Sequence, residues 1–222
     1  METDRKWIVV RINGKIAAIS TDYRLLASIS SALARNCQGK PSLNKDRQQR
    51  NTGKYQIYRE ITATAATLDE VWQLKQETGW DDLMLFGTEF QKKVWRKLWE
   101  LSHRDDARYS EPDSAAPKGD IINLICYSDF AELCQNRAGV RAVAHAIGLN
   151  PLAVVIPCHL VIPKESIDKI RDIHEKAEAT IFKGDDLCIN SILSDSSIDF
   201  GEYSLGRELK RELILRELTE RQ

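Results

Sequence analysis

The stretch from Ser128 to His159 limits what this chain can fold into more than any other part of it. Ser128–Cys134 (SDFAELC) reads as a short helix, Gln135–Gly139 as a turn, and Val140–Ile147 as a second, alanine-rich helix. Gly148 is the expected stop of that second helix, because glycine readily takes the left-handed conformation that closes helices. Helix, short glycine-containing turn and helix form the outline of a helix-turn-helix. An apolar run, Leu152–Ile156, then leads into Pro157-Cys158-His159. That order sets a thiol beside an imidazole at the edge of a core.

Elsewhere the local signals are of ordinary kinds. Trp7–Ile12 and Lys15–Ser20 are apolar runs joined by Asn13-Gly14, a pair that tolerates positive φ and marks a hairpin. Leu25–Ala34 has helical composition, Gln38–Lys54 reads as a loop or linker, and Tyr55–Thr62 reads as another strand. Thr67 with Glu70, and Thr88 with Gln91, are capping-box pairs that open two helices. The second carries an apolar stripe at Phe90, Val94, Leu98 and Leu101. Trp95 and Trp99 are read as core. Ser102–Asp120 reads as a surface loop, and Ile167, Ile170, Ile173, Ala177 and Ile181 are spaced for one amphipathic helix. A last helix is expected over Arg207–Arg221. The predicted fold class is an α/β N-terminal domain (small sheet plus helix) over 1–82, followed by a mainly α C-terminal domain over 83–222 with a helix-turn-helix at 127–148.

Composition narrows the function classes. Of the 222 residues, 42% are hydrophobic and 29% charged, the mix of a soluble globular protein. No apolar run approaches the roughly 20 residues that cross a bilayer, so no membrane partner is expected. The polar start Met1–Lys6 lacks the apolar segment of a secretion signal, which makes an intracellular location the expectation. The five cysteines (Cys37, Cys126, Cys134, Cys158, Cys188) have no regular spacing, and there are only four histidines. Neither a disulfide framework nor a metal site is expected. The net charge of −1 means that any nucleic-acid surface is local rather than a broad basic field.

Four blocks, in order, resemble the O6-alkylguanine-DNA alkyltransferases, also called methylated-DNA–protein-cysteine methyltransferases. They are Gly87-Thr88-Glu89-Phe90-Gln91 with Val94-Trp95 and Leu98; Tyr127-Ser128 with Ala131; Arg141-Ala142-Val143, then Asn150-Pro151 and Ile156-Pro157-Cys158-His159; and Gly201, Tyr203-Ser204, Gly206, Lys210 and Glu217. The resemblance covers about residues 86–162 and 201–217. It implies an active-site motif at 150–160 and an insertion at 163–199 that the family lacks. Two departures stand out: Leu160 where the family has arginine, and Ala144-His145 where it often has two glycines.

The resemblance implies a single-turnover enzyme that moves an alkyl group from the O6 atom of a flipped guanine in double-stranded DNA onto its own cysteine. Cys158 would be the acceptor. His159 would be its base, acting through a water, with Glu217 orienting the imidazole and Asn150 ordering the network. Tyr127 would donate a proton or hydrogen bond to the base. Arg141 would fill the gap left in the helix, and Ala142 would permit close approach to DNA. Tyr203 and Ser204 would line the base pocket, and Lys210 belongs to the expected substrate and DNA contacts. His145 faces either solvent or DNA. No cofactor is required, a monomer is the family expectation, and location follows the genome: cytoplasmic in a bacterium, nuclear in a eukaryote. The competing readings are a lesion sensor without transfer, a helix-turn-helix transcription regulator and a cysteine hydrolase. The first would not need Cys158, the second would not need Pro157-Cys158-His159 or Glu217, and the third needs an oxyanion hole for which the sequence has no signature.

Overall fold

The computed structural model describes residues 5–22, 60–103, 124–178, 191–192 and 195–219. The helix expected over Leu25–Ala34, the linker Gln38–Lys54, nearly all of the loop Ser102–Asp120, and Cys37 and Cys188 lie outside the described residues. The chain divides into two compact units, Met1–Phe86 with Pro151–Val155, and Gly87–Asn150 with Ile156–Gln222.

The first unit is built on an antiparallel sheet of order β2-β1-β3: β1 (Trp7–Ile12), β2 (Lys15–Ser20) and β3 (Ile61–Ala66). Asn13 at φ 50° and Gly14 at φ 80° close the β1–β2 hairpin, as the dipeptide requires. Most of the strand expected at Tyr55–Thr62 lies outside the described residues; β3 takes in its last two residues and runs on to Ala66. Its first five residues are exposed, so no alternation of apolar and polar side chains announces it. Backbone pairing with β1, Trp7 opposite Ala66 through Ile12 opposite Ile61, holds it. Helix α1 (Leu68–Glu77) follows, capped reciprocally by Thr67 and Glu70. Its Val71 and Trp72 are buried. Residues 151–155 join this unit through backbone bonds from Ile19 to the Pro151 carbonyl (2.8 Å) and from Ala153 to the Ile19 carbonyl (3.2 Å).

The second unit is mostly helical. Helix α2 (Glu89–Ser102) opens with the Thr88–Gln91 capping box and buries Val94, Trp95, Leu98, Trp99 and Leu101. The Trp95 indole Nε1 donates to the Ala146 carbonyl at 2.8 Å, a buried bond 51 residues apart in sequence. A β-carbon on Gly87 would come within 2.7 Å of the Trp95 ring, so this position has no room for a side chain. Strand β4 (Ile125–Cys126) pairs in parallel with β5 (Val161–Ile162). Between them run α3 (Tyr127–Leu133), a short 3-10 turn (Arg137–Gly139) and α4 (Val140–Gly148). Gly148 does not end α4 in the expected way. It is the last helical residue and has no positive φ; Leu149 at φ −90°, ψ 7° follows and donates its N–H to the His145 carbonyl.

Helices α5 (Lys164–Glu178) and α6 (Arg207–Thr219) complete this unit. Ile167 and Ile170 of α5 share a core with Leu160, Ile162, Ile198, Phe200, Ile214 and Leu218, and Ile173 packs on it partly buried. Packing against α5 therefore gives Leu160 an apolar setting at 1% exposure, which accounts for a leucine where the resemblance has a charged arginine. Leu160→Arg should lower the unfolding free energy by about 3 kcal/mol or more, the scale of an uncompensated buried charge. Urea denaturation measures this; a loss within about 0.5 kcal/mol, typical of surface positions, would contradict the packing described.

Candidate active site

The site is assembled around a sharp change of direction after α4. Val154 takes φ 72°, a left-handed conformation rare for a β-branched residue. Pro157 sits at φ −81°, ψ 63°, and the Cys158 N–H donates to the Ile156 carbonyl at 2.8 Å. This is an inverse γ-turn, for which proline presets the first dihedral. The chain then enters a 3-10 turn, Cys158–Leu160, and passes into β5. The apolar run that approaches Cys158 is thus a pair of tight turns. Asn150, 5% exposed, spans the bend: its Nδ2 donates to the Ile156 carbonyl (2.8 Å) and to the Cys158 sulfur (3.1 Å).

Cys158 is buried, with 5% of its surface accessible, yet it forms part of the wall of a cleft of about 490 Å³. That volume lies in the range of small-molecule sites. The other walls come from Tyr127, from α4 and its end (Ala144, His145, Ile147, Gly148, Leu149), and from Glu202, Tyr203 and Ser204. The Cys158 thiol lies 3.8 Å from the Tyr203 hydroxyl. Burial pushes the thiol pKa up, while the Asn150 and Tyr203 hydrogen bonds and the Lys210 charge oppose that push. The resting sulfur is accordingly a protonated thiol at neutral pH, and both polar partners favour its ionised form. Burial and the same sulfur's charge raise the pKa of Tyr203 and Tyr127, so both hydroxyls keep their protons.

Behind the thiol lies a buried pair. His159 is fully buried, and its Nε2 meets Glu217 Oε1 of α6 at 2.9 Å. A carboxylate on one ring nitrogen fixes the ring's orientation and the role of that nitrogen. The separation of 58 positions in sequence is closed by the packing of Leu213, Ile214 and Leu218.

Lys210 differs from the expectation of a substrate or DNA contact. It is 1% exposed, and its ammonium donates to the Val161 carbonyl (2.8 Å) and the Glu202 carbonyl (3.4 Å). It also stands 5.9 Å from the Tyr127 ring centroid. Desolvation lowers its pKa to about 8, against the pull of Cys158, Asp199 and Glu202. A cation so enclosed cannot reach a phosphate; it braces the backbone on either side of the site instead. Gly201 at φ 80° enables the chain to pass beside it, since a β-carbon there would press on Pro163 at 3.1 Å.

The structure thus brings Asn150, Cys158, Tyr203, His159, Glu217, Tyr127 and Ser204 to one place. Arg141 and Ala142 are exposed on α4 and do not line the cleft. Sequence reasoning missed Leu149 and Glu202, whose only local signal is position beside Asn150 and Tyr203. Among the described residues no group of three or more His, Cys, Asp or Glu side chains is placed to hold a metal ion.

Residues 117–179 match a family model described as 6-O-methylguanine DNA methyltransferase, DNA binding domain. Through this segment the chain is similar to that family. Over 85 residues it is 39% identical to a probable methylated-DNA–protein-cysteine methyltransferase of Acanthamoeba polyphaga mimivirus, covering 38% of this chain and 45% of that protein. Over 78 residues it is 38% identical to the inducible methylated-DNA–protein-cysteine methyltransferase of Bacillus subtilis, covering 35% and 34%. The match thus spans less than half the length of these relatives. The solved O6-methylguanine-DNA methyltransferase of Pyrococcus kodakaraensis aligns over 96% of this chain and 93% of its own, at 20% identity and a TM-score of 0.43.

Peptide-resolved alkylation of Cys158 by iodoacetamide should be slow at neutral pH and rise only in the alkaline range. Asn150→Ala removes a bond that favours the thiolate, so its midpoint should move to higher pH. A wild-type midpoint below that of free cysteine, or a downward shift in the variant, would contradict this electrostatic account.

Proposed function

We propose that this protein repairs DNA directly, moving an alkyl group from O6 of an alkylated guanine to Cys158 in one irreversible turnover. The observation that carries the reading is a buried thiol on the wall of a cleft, followed directly in sequence by a buried His159 that is paired with Glu217. In the transfer the sulfur–carbon bond forms as the O6–carbon bond breaks. The thiol proton passes through a water to His159, and the guanine that leaves takes up a proton, so charge balances. Tyr127 supplies a hydrogen bond or proton to the departing base. Tyr203 and Ser204 flank it, and Asn150 and Tyr203 stabilise the developing thiolate.

A target atom inside duplex DNA must first be swung out of the stack. On this reading α3 and α4 are a helix-turn-helix with α4 against the minor groove. The exposed Arg141 would fill the vacated space, while Ala142 and Ala144 let the backbone come close. The match of residues 117–179 to a model described as a DNA binding domain supports DNA as the partner, and the modest charge of −1 fits a local contact surface.

Titrating the protein with a duplex oligonucleotide containing O6-methylguanine should restore about one equivalent of guanine per molecule and then stop. Cys158→Ala should restore none while still binding the lesion. Tight binding by the wild type with the lesion unchanged would instead favour a sensor, and continued turnover would favour a hydrolase. Arg141→Ala should slow repair of duplex by about tenfold, the scale of one lost charged contact, with a smaller effect on free O6-benzylguanine. Equal losses on both substrates would contradict a role in base extrusion.

A further inference from the structure

We infer that His145 is a DNA-specific contact of the Cys158 cleft, donating a hydrogen bond from its imidazole to a phosphodiester oxygen beside the extruded nucleotide. The inference rests on the repair reading above and adds a residue that the family resemblance leaves without a role, since glycine often stands there. Helix α4 buries Val143, Ala146 and Ile147. Its opposite stripe, Arg141, His145 and Gly148, is exposed and advances one turn at a time. His145 is on that stripe and also on the cleft wall. The other residues that α4 and its end contribute to the wall (Ala144, Ile147, Gly148 and Leu149) are apolar. The imidazole is therefore the one polar side chain this element presents there.

The geometry of an extruded nucleotide then decides what it meets. The base must enter far enough for its O6 substituent to reach Cys158. The nucleotide stays joined to its strand by two phosphodiesters, which remain at the mouth. A side chain that is both exposed and part of the wall stands at that mouth. Imidazole offers an N–H donor whether neutral or protonated, and a hydrogen bond to an anionic oxygen is among the stronger kinds. Glu202, which lines the same cleft, carries a carboxylate paired with Arg207. That carboxylate has no donor to offer a phosphate, whereas the His145 imidazole does.

The contact exists only for a nucleotide within DNA, so the test compares two substrates. Single-turnover rates are measured with a duplex containing O6-methylguanine and with free O6-benzylguanine, for wild type, His145→Ala and His145→Gln. Loss of the donor in His145→Ala should lower the ratio of duplex to free-base rate by about tenfold, and His145→Gln, which keeps an N–H donor, should recover most of it. A misfolded or structurally perturbed variant would lose both rates together, leaving the ratio unchanged. An unchanged ratio in a His145→Ala protein that keeps the wild-type rate with free O6-benzylguanine would overturn this inference alone. A wild type that reacts with neither substrate would overturn the repair reading and the inference with it.

Discussion

The Asn150 side chain ties the site together: one amide group bonds both the Ile156 carbonyl and the Cys158 sulfur. Its two short bonds fix the bend that brings the thiol to the cleft wall. They also supply a donor to a sulfur that burial would otherwise keep neutral. The thiol is held where a small partner can reach it, yet little water can. In such a place a thiolate is costly to form and strongly nucleophilic once formed. On the repair reading this suits a group that must react once with one alkyl carbon and stay idle otherwise.

The rest of the second unit can be understood as support for that arrangement. The Trp95 indole bond to Ala146 pins α4, whose end supplies Asn150. The buried Lys210 ammonium joins the Val161 and Glu202 carbonyls, connecting the strand after the thiol to the segment that carries Tyr203. Glu217 arrives on α6 through the packing of Leu213, Ile214 and Leu218 and meets His159 in a fully buried setting. Buried polar groups of this kind are stable only when each has a partner, so the site's order and its chemistry share the same bonds.

Features governed by local backbone rules were legible in the sequence. Asn13-Gly14 marked the hairpin, and the Thr67–Glu70 and Thr88–Gln91 pairs marked two helix starts, because each depends on residues within a few positions. The run of β3 past Thr62 to Ala66 was not legible because an exposed run of Ile, Thr and Ala is held by main-chain pairing and has no side-chain pattern. The second helix ends at Gly148 as expected, but without the left-handed φ that glycine was expected to supply. Lys210 was placed among the substrate and DNA contacts through the family resemblance, and nothing local shows that α6 turns it inward. The approach of Glu217 to His159 could be anticipated only through the family resemblance, since no local rule spans 58 residues. The departure at Leu160 became intelligible once α5 was seen to share its core.

The central claim is that one sulfur, and no other, receives the alkyl group. The direct measurement uses a duplex whose O6-methylguanine carries an isotopically labelled methyl group, followed by fragment mass spectrometry of the reacted protein to locate the label. The account predicts the label on Cys158 as an S-methyl thioether. Label on Cys126, on Cys134 or on any other residue, or none at all on the protein while the DNA loses its methyl group, would contradict it.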